Sequence, residues 1–243
     1  MNLILIEPHE LVDQYASLRG ARAVHIREVL RAKPGDTIRV GLLDGPRGTA
    51  RIETITPEQV GLRCTWEQES PQRPAVDLLL ALPRPKVMRR LWAQLAALGV
   101  GHIALTNAEK VERNYFDTHV IQPATYRPLL LEGLQQAQDT HLPHITIHKQ
   151  LKPLVEDQLD ELFPNTLRLL ADPAATQPIA AAVPKDFLGR VLLAIGPEGG
   201  WNDFERVLFV RAGFVAIGLG PRTLRTDTAC IGLLTLAHAT LKF

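Results

Sequence analysis

Apolar and polar positions follow two different patterns along the chain, and the change falls near residues 67–74. Before this point the apolar segments are short and are separated by turn residues. One amphipathic helix is predicted near residues 21–30. The predicted strands cover residues 3–6, 37–41, 49–55 and 60–66. Short strands at this spacing are typical of a small barrel, so we predict a β-barrel domain over residues 1–72.

Beyond residue 73 the pattern changes to an alternation of strands and helices. Residues 76–82 form a nearly continuous apolar run, as a parallel strand buried on both faces requires. Apolar residues then recur at spacings of three and four up to Gly99, which predicts an amphipathic helix. Further strands are predicted at 102–105, 167–171, 191–195 and 214–219, and helices at 118–138, at 203–212 and from 226. We predict an α/β domain with a mostly parallel sheet over residues 73–243.

Two of the predicted helices carry capping signals. Asn202, with Glu205 three residues later, predicts a capping box at the start of the helix over 203–212. Thr226 or Asp227 is expected to cap the last helix. That helix is apolar on most of its sides, which suits burial on more than one face and predicts a homodimer. Burial of these sides within one subunit is the alternative.

Composition and charge exclude several classes of protein. The formal net charge is +1, from 27 basic and 26 acidic residues, so the chain lacks the strong cationic field of a non-specific nucleic-acid binder. Two cysteines cannot form a disulfide framework or a four-thiolate zinc site. His141, His144 and His148 have a metal-like spacing, but Pro143 breaks any helix that would align them, so we expect exposed loop and strand histidines instead. With no apolar run of transmembrane length and no signal-peptide pattern, we expect a cytoplasmic protein with no metal and no membrane partner.

Two loops carry residues that simple connections do not need. The first, residues 195–200, joins a predicted strand to a capped helix and contains Glu198 within a Gly-Pro turn. The second, residues 219–229, places Arg222 and Arg225 just before a helix N-terminus, which favours an anion or RNA. Ligands of open α/β sheets bind where such loops leave the strands. The alternative interpretation is a tight turn and solvated loop charge. Neither loop matches the Gly-rich patterns that bind nucleoside triphosphates or dinucleotides.

The sequences IGPEGGW…E and LGPRTLRTDTA in these loops resemble the signature of the SPOUT methyltransferases with a C-terminal trefoil knot. They are most similar to the RsmE-type family, which methylates N3 of uridine 1498 in 16S ribosomal RNA. Thr223 stands where that family usually has Ile, and Asp227 where it has Glu. In the N-terminal half, residues 25–31 with the following Gly-Asp and Asp-Gly turns look like the family's PUA-like RNA-binding barrel.

The resemblance implies a knotted, mostly parallel sheet with helices on both faces, S-adenosylmethionine as methyl donor without a metal, 16S ribosomal RNA of the small subunit as partner, and a homodimer. The residues that it places at the methyl donor are Leu170, Gly196, Pro197, Gly199, Gly200, Leu219, Gly220 and Leu224. The residues expected to bind RNA are Arg27, Arg31, Arg84, Lys86 and Arg113. Uridine N3 is a poor nucleophile until its proton leaves. Arg225 or Arg222 is therefore expected to stabilise the developing anion, and Glu198 to accept the proton or orient an arginine. The alternative is that Glu198 or Arg225 forms an internal ion pair that holds the knot.

Three positions depart from the family pattern. Gln94 and Ala97 replace a common Lys and Glu, and Asp139 stands where an arginine is usual. These differences leave the target nucleotide open. One alternative is another SPOUT enzyme that acts on a different RNA site, such as a ribose 2′-OH of transfer RNA. The other is a non-catalytic RNA-binding protein of ribosome assembly.

Overall fold

The computed structural model describes residues 3–241, which divide into two compact units. The first unit contains the chain up to Arg73 together with Leu131–Leu142. The second contains Pro74–Leu130 and the chain from Pro143 onward. The return of residues 131–142 to the first unit is not predicted by the sequence, which assigned them wholly to the second domain.

The first unit is built on a six-stranded sheet. Its strands are β1 (Ile4–Ile6), β2 (Leu11–Val12), β3 (Tyr15–Arg19), β4 (Thr37–Leu42), β5 (Arg47–Ile55) and β6 (Gln59–Trp66). They lie in the order β1-β4-β5-β6-β3-β2. Among these described strands only β1 and β4 pair in parallel, and the two end strands do not pair with each other, so the sheet forms an open half-barrel. The helical elements are a 3-10 turn (Pro8–Glu10), α1 (Gly20–Val24) and the π turn that continues it (His25–Val29).

Apolar side chains from the strands and from the helical segment fill the core of this unit. The largest of them are Ile6, Leu18, Ile26, Ile52 and Leu62, each almost fully buried. β2 and β3 were not predicted. β2 has only two residues, and β3 alternates two small or medium apolar residues with polar ones, which is too short a signal to stand out from a loop.

Residues 138–142 are tied to the turn between β4 and β5. The Thr140 hydroxyl donates a hydrogen bond of 2.7 Å to the Gly45 carbonyl, and the Asp44 amide donates one of 2.8 Å to the Thr140 carbonyl. The Asp44 carboxylate accepts from the Leu142 amide at 3.0 Å. Asp139, where the family pattern has an arginine, accepts from the next two backbone amides and shapes this turn. The altered segment therefore has a structural role within the first unit.

The second unit is built on a six-stranded sheet. Its strands are β7 (Val76–Ala81), β8 (Val100–Thr106), β9 (His144–His148), β10 (Thr166–Ala171), β11 (Arg190–Ile195) and β12 (Val215–Ile217). They lie in the order β12-β10-β11-β7-β8-β9, and all neighbouring strands are parallel. Its helices are α2 (Pro85–Ala97), α3 (Pro123–Ala137, which ends in the first unit), α4 (Leu151–Pro153), α5 (Leu159–Leu162), α6 (Ile179–Ala182), α7 (Asp203–Arg211) and α8 (Thr226–Thr240). Two 3-10 turns (Arg113–Asp117, His119–Ile121) and a π turn (Leu154–Gln158) complete it.

The centre of this sheet confirms the strand–helix prediction. All six residues of β7 are buried, as expected for a strand covered on both faces. α2 buries Met88, Leu91, Trp92 and Leu95 and ends before Gly99, as predicted. The helical stretch between Leu151 and Leu162 was not predicted. Pro153 lies inside it, but so near its start that the missing N–H breaks no helical hydrogen bond.

The chain crosses itself closely where β12 ends. The Asp172 amide donates to the Ile217 carbonyl at 3.0 Å, and the Gly218 amide donates to the Gln177 carbonyl at 2.9 Å. A Cβ atom at position 218 would lie only 2.0 Å from the Ala175 carbonyl oxygen. Glycine is therefore required at 218, because two backbone segments pass there without room for a side chain.

The capping predictions had different outcomes. The capping box of Asn202 and Glu205 is present at the start of α7, as predicted. The predicted cap of the last helix is wrong: Arg225 is the N-cap of α8, and it makes no side-chain capping bond. Thr226 is already the first helical residue and is buried, while the Asp227 carboxylate pairs with Arg90 at 3.2 Å.

Within residues 3–241, no helix has the length and apolarity needed to cross a membrane.

Candidate active site

A cleft opens at the carboxyl ends of β10, β11 and β12, where three loops leave the sheet. It encloses about 780 Å³ of empty space, including the part open to solvent. Its walls come from residues 171–173, from 195–201 and from the segment 217–224, and α8 closes one side with Thr226, Ala229 and Leu233. Two of these three loops, residues 195–200 and 219–229, are recognisable from their residues alone.

Most residues predicted at the methyl donor border this cleft. They are Gly196, Pro197, Gly199, Gly200, Leu219, Gly220 and Leu224. Leu170 does not line the cleft. It is buried inside β10, below the strand's end, and the residues after it, Ala171 and Asp172, reach the cleft in its place. The apolar wall residues Trp201 and Ile217 were not predicted, although Trp201 is part of the quoted motif.

Lys110 supports the first loop from a neighbouring segment. Its Nζ donates a hydrogen bond of 2.7 Å to the Gly199 carbonyl. A Cβ atom at position 199 would lie 2.7 Å from the Lys110 side-chain carbon Cδ, so glycine here lets the lysine pack against the backbone. Sequence reasoning did not connect Lys110 with this loop, because 89 residues separate the two along the chain.

Glu198 lines the cleft and lies at the start of α2. Its Oε1 accepts a hydrogen bond of 3.2 Å from the backbone amide of Arg84, the N-cap residue of that helix. The positive end of the helix dipole favours a carboxylate at this position. One carboxylate oxygen thereby holds the loop against α2, and Oε2 makes no hydrogen bond within residues 3–241.

Nearby, the Tyr115 hydroxyl donates to the Glu112 carboxylate at 3.1 Å. Partial burial of Tyr115, together with that carboxylate, raises the pKa of Tyr115.

The two predicted catalytic arginines occupy different places. Arg222 lines the cleft, whereas Arg225 is the N-cap of α8 and is not among the lining residues. Both are exposed, and neither side chain makes a hydrogen bond or ion pair within residues 3–241. The sequence had left open an internal ion pair of Glu198 with an arginine that holds the loops together. That pair is not formed, because Glu198 bonds to the backbone of Arg84 instead.

The residues predicted to bind RNA lie in both units. In the second unit Arg84 and Lys86 are exposed at the start of α2, and Arg113 is exposed at the start of a 3-10 turn. In the first unit Arg31 is exposed. The Arg27 guanidinium already has two partners within the protein: it donates to the Pro57 carbonyl at 2.8 Å and pairs with Glu28 at 2.9 Å.

One of the three predicted histidines is placed differently from the prediction, and the two α2 residues that differ from the family pattern face solvent. His141 is buried and lies 3.4 Å from Asp139, whereas the sequence predicted an exposed histidine. Gln94 and Ala97 are both exposed on α2. In the part of the chain that the structure describes, no group of three or more His, Cys, Asp or Glu side chains is arranged to hold a metal ion.

Comparison with known proteins agrees with this architecture. The sequence pattern of the RNA methyltransferase domain matches residues 68–238, which is most of the chain. A ribosomal RNA small subunit methyltransferase E of Treponema pallidum is 34% identical, covering 98% of this chain and 92% of the relative. The chain belongs to this RNA methyltransferase family. A second member, from Borreliella burgdorferi, is 26% identical and covers 95% of this chain and 94% of its own.

Solved structures of the family share the whole fold. The small subunit methyltransferase E of Neisseria gonorrhoeae, solved with S-adenosylmethionine bound, superposes with a TM-score of 0.80 at 20% identity, over 99% of this chain and 98% of that one. A Legionella pneumophila protein solved with the same cofactor gives a TM-score of 0.77 at 25% identity, over 98% and 97% of the two chains. The fold is therefore the knotted SPOUT fold preceded by a PUA-like half-barrel, as the sequence predicts.

Proposed function

We propose that this chain transfers a methyl group from S-adenosylmethionine to N3 of uridine 1498 in the 16S ribosomal RNA of the small subunit. The observation that carries the proposal is the cleft itself, in which the two loops that hold the family motifs form most of the wall. Two similar structures are described as bound to S-adenosylmethionine, and the relatives are named for methylation of small-subunit ribosomal RNA. The non-catalytic alternative predicts damaged loops, whereas both loops here border one continuous cleft.

The walls of the cleft suit a neutral, flat base and a small polar tail. Leu219 and Leu224 offer apolar contact for an adenine ring, and the residues 196–200 bring backbone groups close to the ligand. When bound, S-adenosylmethionine supplies an electrophilic methyl group on a sulfonium. No charged side chain is needed to hold the adenine, so Glu198 and Arg222 are left to act on the substrate.

The chemistry that remains is to make uridine N3 nucleophilic. We assign Glu198 as the group that takes the N3 proton, through the carboxylate oxygen that does not bind Arg84. Arg222 and Arg225 are assigned to the negative charge that then develops on the base. The N3 electron pair forms the new bond to the methyl carbon, and the electrons of the broken carbon–sulfur bond stay on sulfur, which leaves as a neutral thioether.

RNA recognition and assembly complete the proposal. Arg84, Lys86 and Arg113 are assigned to phosphates near the cleft, and Arg27 and Arg31 to RNA contacts of the first unit. We assign the cytoplasm as the place of action, since 16S ribosomal RNA is the substrate. We also propose a homodimer through α8, because Ile231 and Leu236 remain exposed after its other face has packed inside the unit.

The experiment is a comparison of ribosomal RNA from cells with and without this chain. Nucleosides of the small-subunit RNA are identified by mass spectrometry after nuclease mapping. We expect N3-methyluridine at position 1498 only in cells that contain the chain. An unchanged modification pattern, or the loss of a methyl group in transfer RNA instead, would contradict the proposal.

A further inference from the structure

A second concave site lies beside the cleft, at the carboxyl ends of β8 and β9. It encloses about 740 Å³ of empty space, including the part open to solvent. Residues 107–113, which follow β8, form one side, and Leu151 and Lys152, which follow β9, form another. The first turn of α7 closes it. Nothing in the proposed methyl transfer uses most of these residues, although they lie where open parallel sheets bind ligands.

Two links hold this site against the donor cleft. The Glu109 amide donates to Glu205 Oε1 at 2.7 Å, and Lys110 Nζ donates to the Gly199 carbonyl at 2.7 Å. The segment from Gly199 to Glu205 thus borders the cleft with its first residues and the second site with its last. The two sites are therefore neighbours along one short segment of the chain.

The lining of the second site has three kinds of group. Phe204 lies in the first turn of α7 with 60% of its surface exposed, so its ring is available for contact. Arg113 and Lys152 are exposed cations on two different sides of the site. Glu109 is exposed, whereas Glu205 is buried and its two oxygens accept from the amides of Glu109 and Asn202.

This combination matches the chemistry of a single-stranded nucleotide. An exposed aromatic ring stacks on a base, cations bind the phosphates on either side, and a carboxylate or amide reads the base edge. A purely anionic ligand would not suit Glu109, and a purely apolar ligand would desolvate Arg113 and Lys152. Lys152 already has an exposed ion pair with Glu156 at 3.8 Å, which leaves its ammonium accessible to a phosphate. We infer that this site binds a nucleotide of the RNA substrate next to the methylated base, stacked on Phe204 with its phosphates at Arg113 and Lys152.

This inference rests on the proposed function, and it makes Phe204 a specificity residue that touches RNA but not the reacting atoms. The test measures the affinity of the full chain for purified small ribosomal subunits, together with methyl transfer and the affinity for S-adenosylmethionine. Phe204→Ala should weaken subunit binding roughly 5- to 100-fold, the usual effect of losing one stacked base. It should raise KM for the subunits more than it lowers kcat, and leave affinity for S-adenosylmethionine unchanged.

Two controls separate stacking from general damage. Phe204→Trp keeps a ring for stacking and should bind subunits within about twofold of wild type. Val207→Ala changes an exposed apolar residue of the same helix that does not line the site, and should have no effect. Lys152→Ala should weaken binding and reduce its salt dependence by about one phosphate contact.

The outcomes distinguish this inference from the proposed function. If wild type binds subunits but transfers no methyl group, the proposed function fails, while the Phe204 comparison still tests the nucleotide site. If Phe204→Ala binds subunits as well as Val207→Ala does, the inference is overturned. A smaller sedimenting mass for Phe204→Ala would place Phe204 at a protein contact and would also overturn it.

Discussion

Arg225 and Arg222 are the two cations closest in sequence to the start of α8, and neither has a partner within residues 3–241. A guanidinium that is exposed and makes no internal bond contributes little to folding, so its substitution tests function directly. Placed beside the cleft, it can face an anionic base or a phosphate. The two arginines therefore offer a test in which stability and activity separate.

We predict that Arg225→Ala lowers methyl transfer about a hundred- to thousandfold, because a cation positioned at developing charge acts mainly in the transition state. The free energy of unfolding should change by less than about 0.5 kcal/mol. Single-turnover transfer to small ribosomal subunits and urea unfolding measure the two effects. Arg211→Ala, another exposed arginine that does not line the cleft, is the matched control and should transfer normally. Transfer at the wild-type rate by Arg225→Ala would remove its catalytic assignment.

One conservative substitution separates the two roles assigned to Glu198, which are to position the loop and to accept the N3 proton. Glu198→Gln keeps an oxygen that accepts from the Arg84 amide but cannot take the N3 proton. We predict wild-type affinity for S-adenosylmethionine and transfer reduced at least a hundredfold, the usual effect of losing a general base. Calorimetry and single-turnover transfer check the two parts. If Glu198→Gln transfers normally and Glu198→Ala does not, Glu198 only positions the loop.

At the scale of elements, an ion pair joins β7 and β11 inside the second unit. The Asp77 carboxylate is almost fully buried and accepts from Arg190 Nε at 3.0 Å and from its terminal nitrogen at 2.5 Å. Burial raises the pKa of Asp77, and Arg190 opposes that rise. A second pair, Arg168 with Asp160, joins β10 to α5, but there the Asp160 side chain is 90% exposed.

We predict that Arg190→Met lowers the free energy of unfolding by about 3 kcal/mol, because it leaves a buried carboxylate without its partner. This predicted loss lies at the low end of the range for broken buried ion pairs, because the Arg190 guanidinium is partly exposed. Asp160→Ala should cost less than about 1 kcal/mol. Removing Arg190 raises the pKa of Asp77 further in the folded state. The folded state then binds more protons than the unfolded one, so the deficit should shrink as the pH falls. Urea unfolding at several pH values checks this, and equal losses in the two variants would contradict it.

The elements that the sequence predicts well are those whose own residues decide their structure. β7 is a continuous apolar run, α2 has a full apolar stripe and a stopping glycine, and α7 carries its own capping box. The errors occur where distant residues decide. Thr226 is buried and is already the first helical residue of α8, so Arg225 stands at its N-cap. Residues 131–142 join the first unit through bonds to a turn some 95 residues earlier in the chain.

The same distinction applies to the site. The motif letters mark the two loops of the cleft, so most of the lining residues could be named from the sequence. Lys110, the contact of Glu198 with Arg84 and the site around Phe204 depend on segments brought together by the sheet order. No local pattern encodes such pairings, because they follow from the parallel crossovers between strands distant in sequence.

For the whole molecule, the open question of assembly has a direct test. Leu236 on α8 is 44% exposed, and Leu188, in a loop of the same unit, is 84% exposed. If α8 forms the dimer interface, Leu236→Glu should give a monomeric mass in sedimentation at micromolar concentration, since a charge would be buried there without a partner. Leu188→Glu should remain dimeric like wild type. A monomeric wild-type chain would contradict the proposed dimer.

The proposed activity is methylation of one nitrogen of one nucleotide, and a single in vitro reaction measures it. The purified chain is incubated with S-adenosylmethionine carrying an isotopically labelled methyl group and with small ribosomal subunits that lack the modification. The product RNA is then mapped by mass spectrometry. We predict one labelled methyl group per subunit, on N3 of uridine 1498. Label on a ribose 2′-oxygen or on another nucleotide, or no label from a chain that binds S-adenosylmethionine, would contradict the claim.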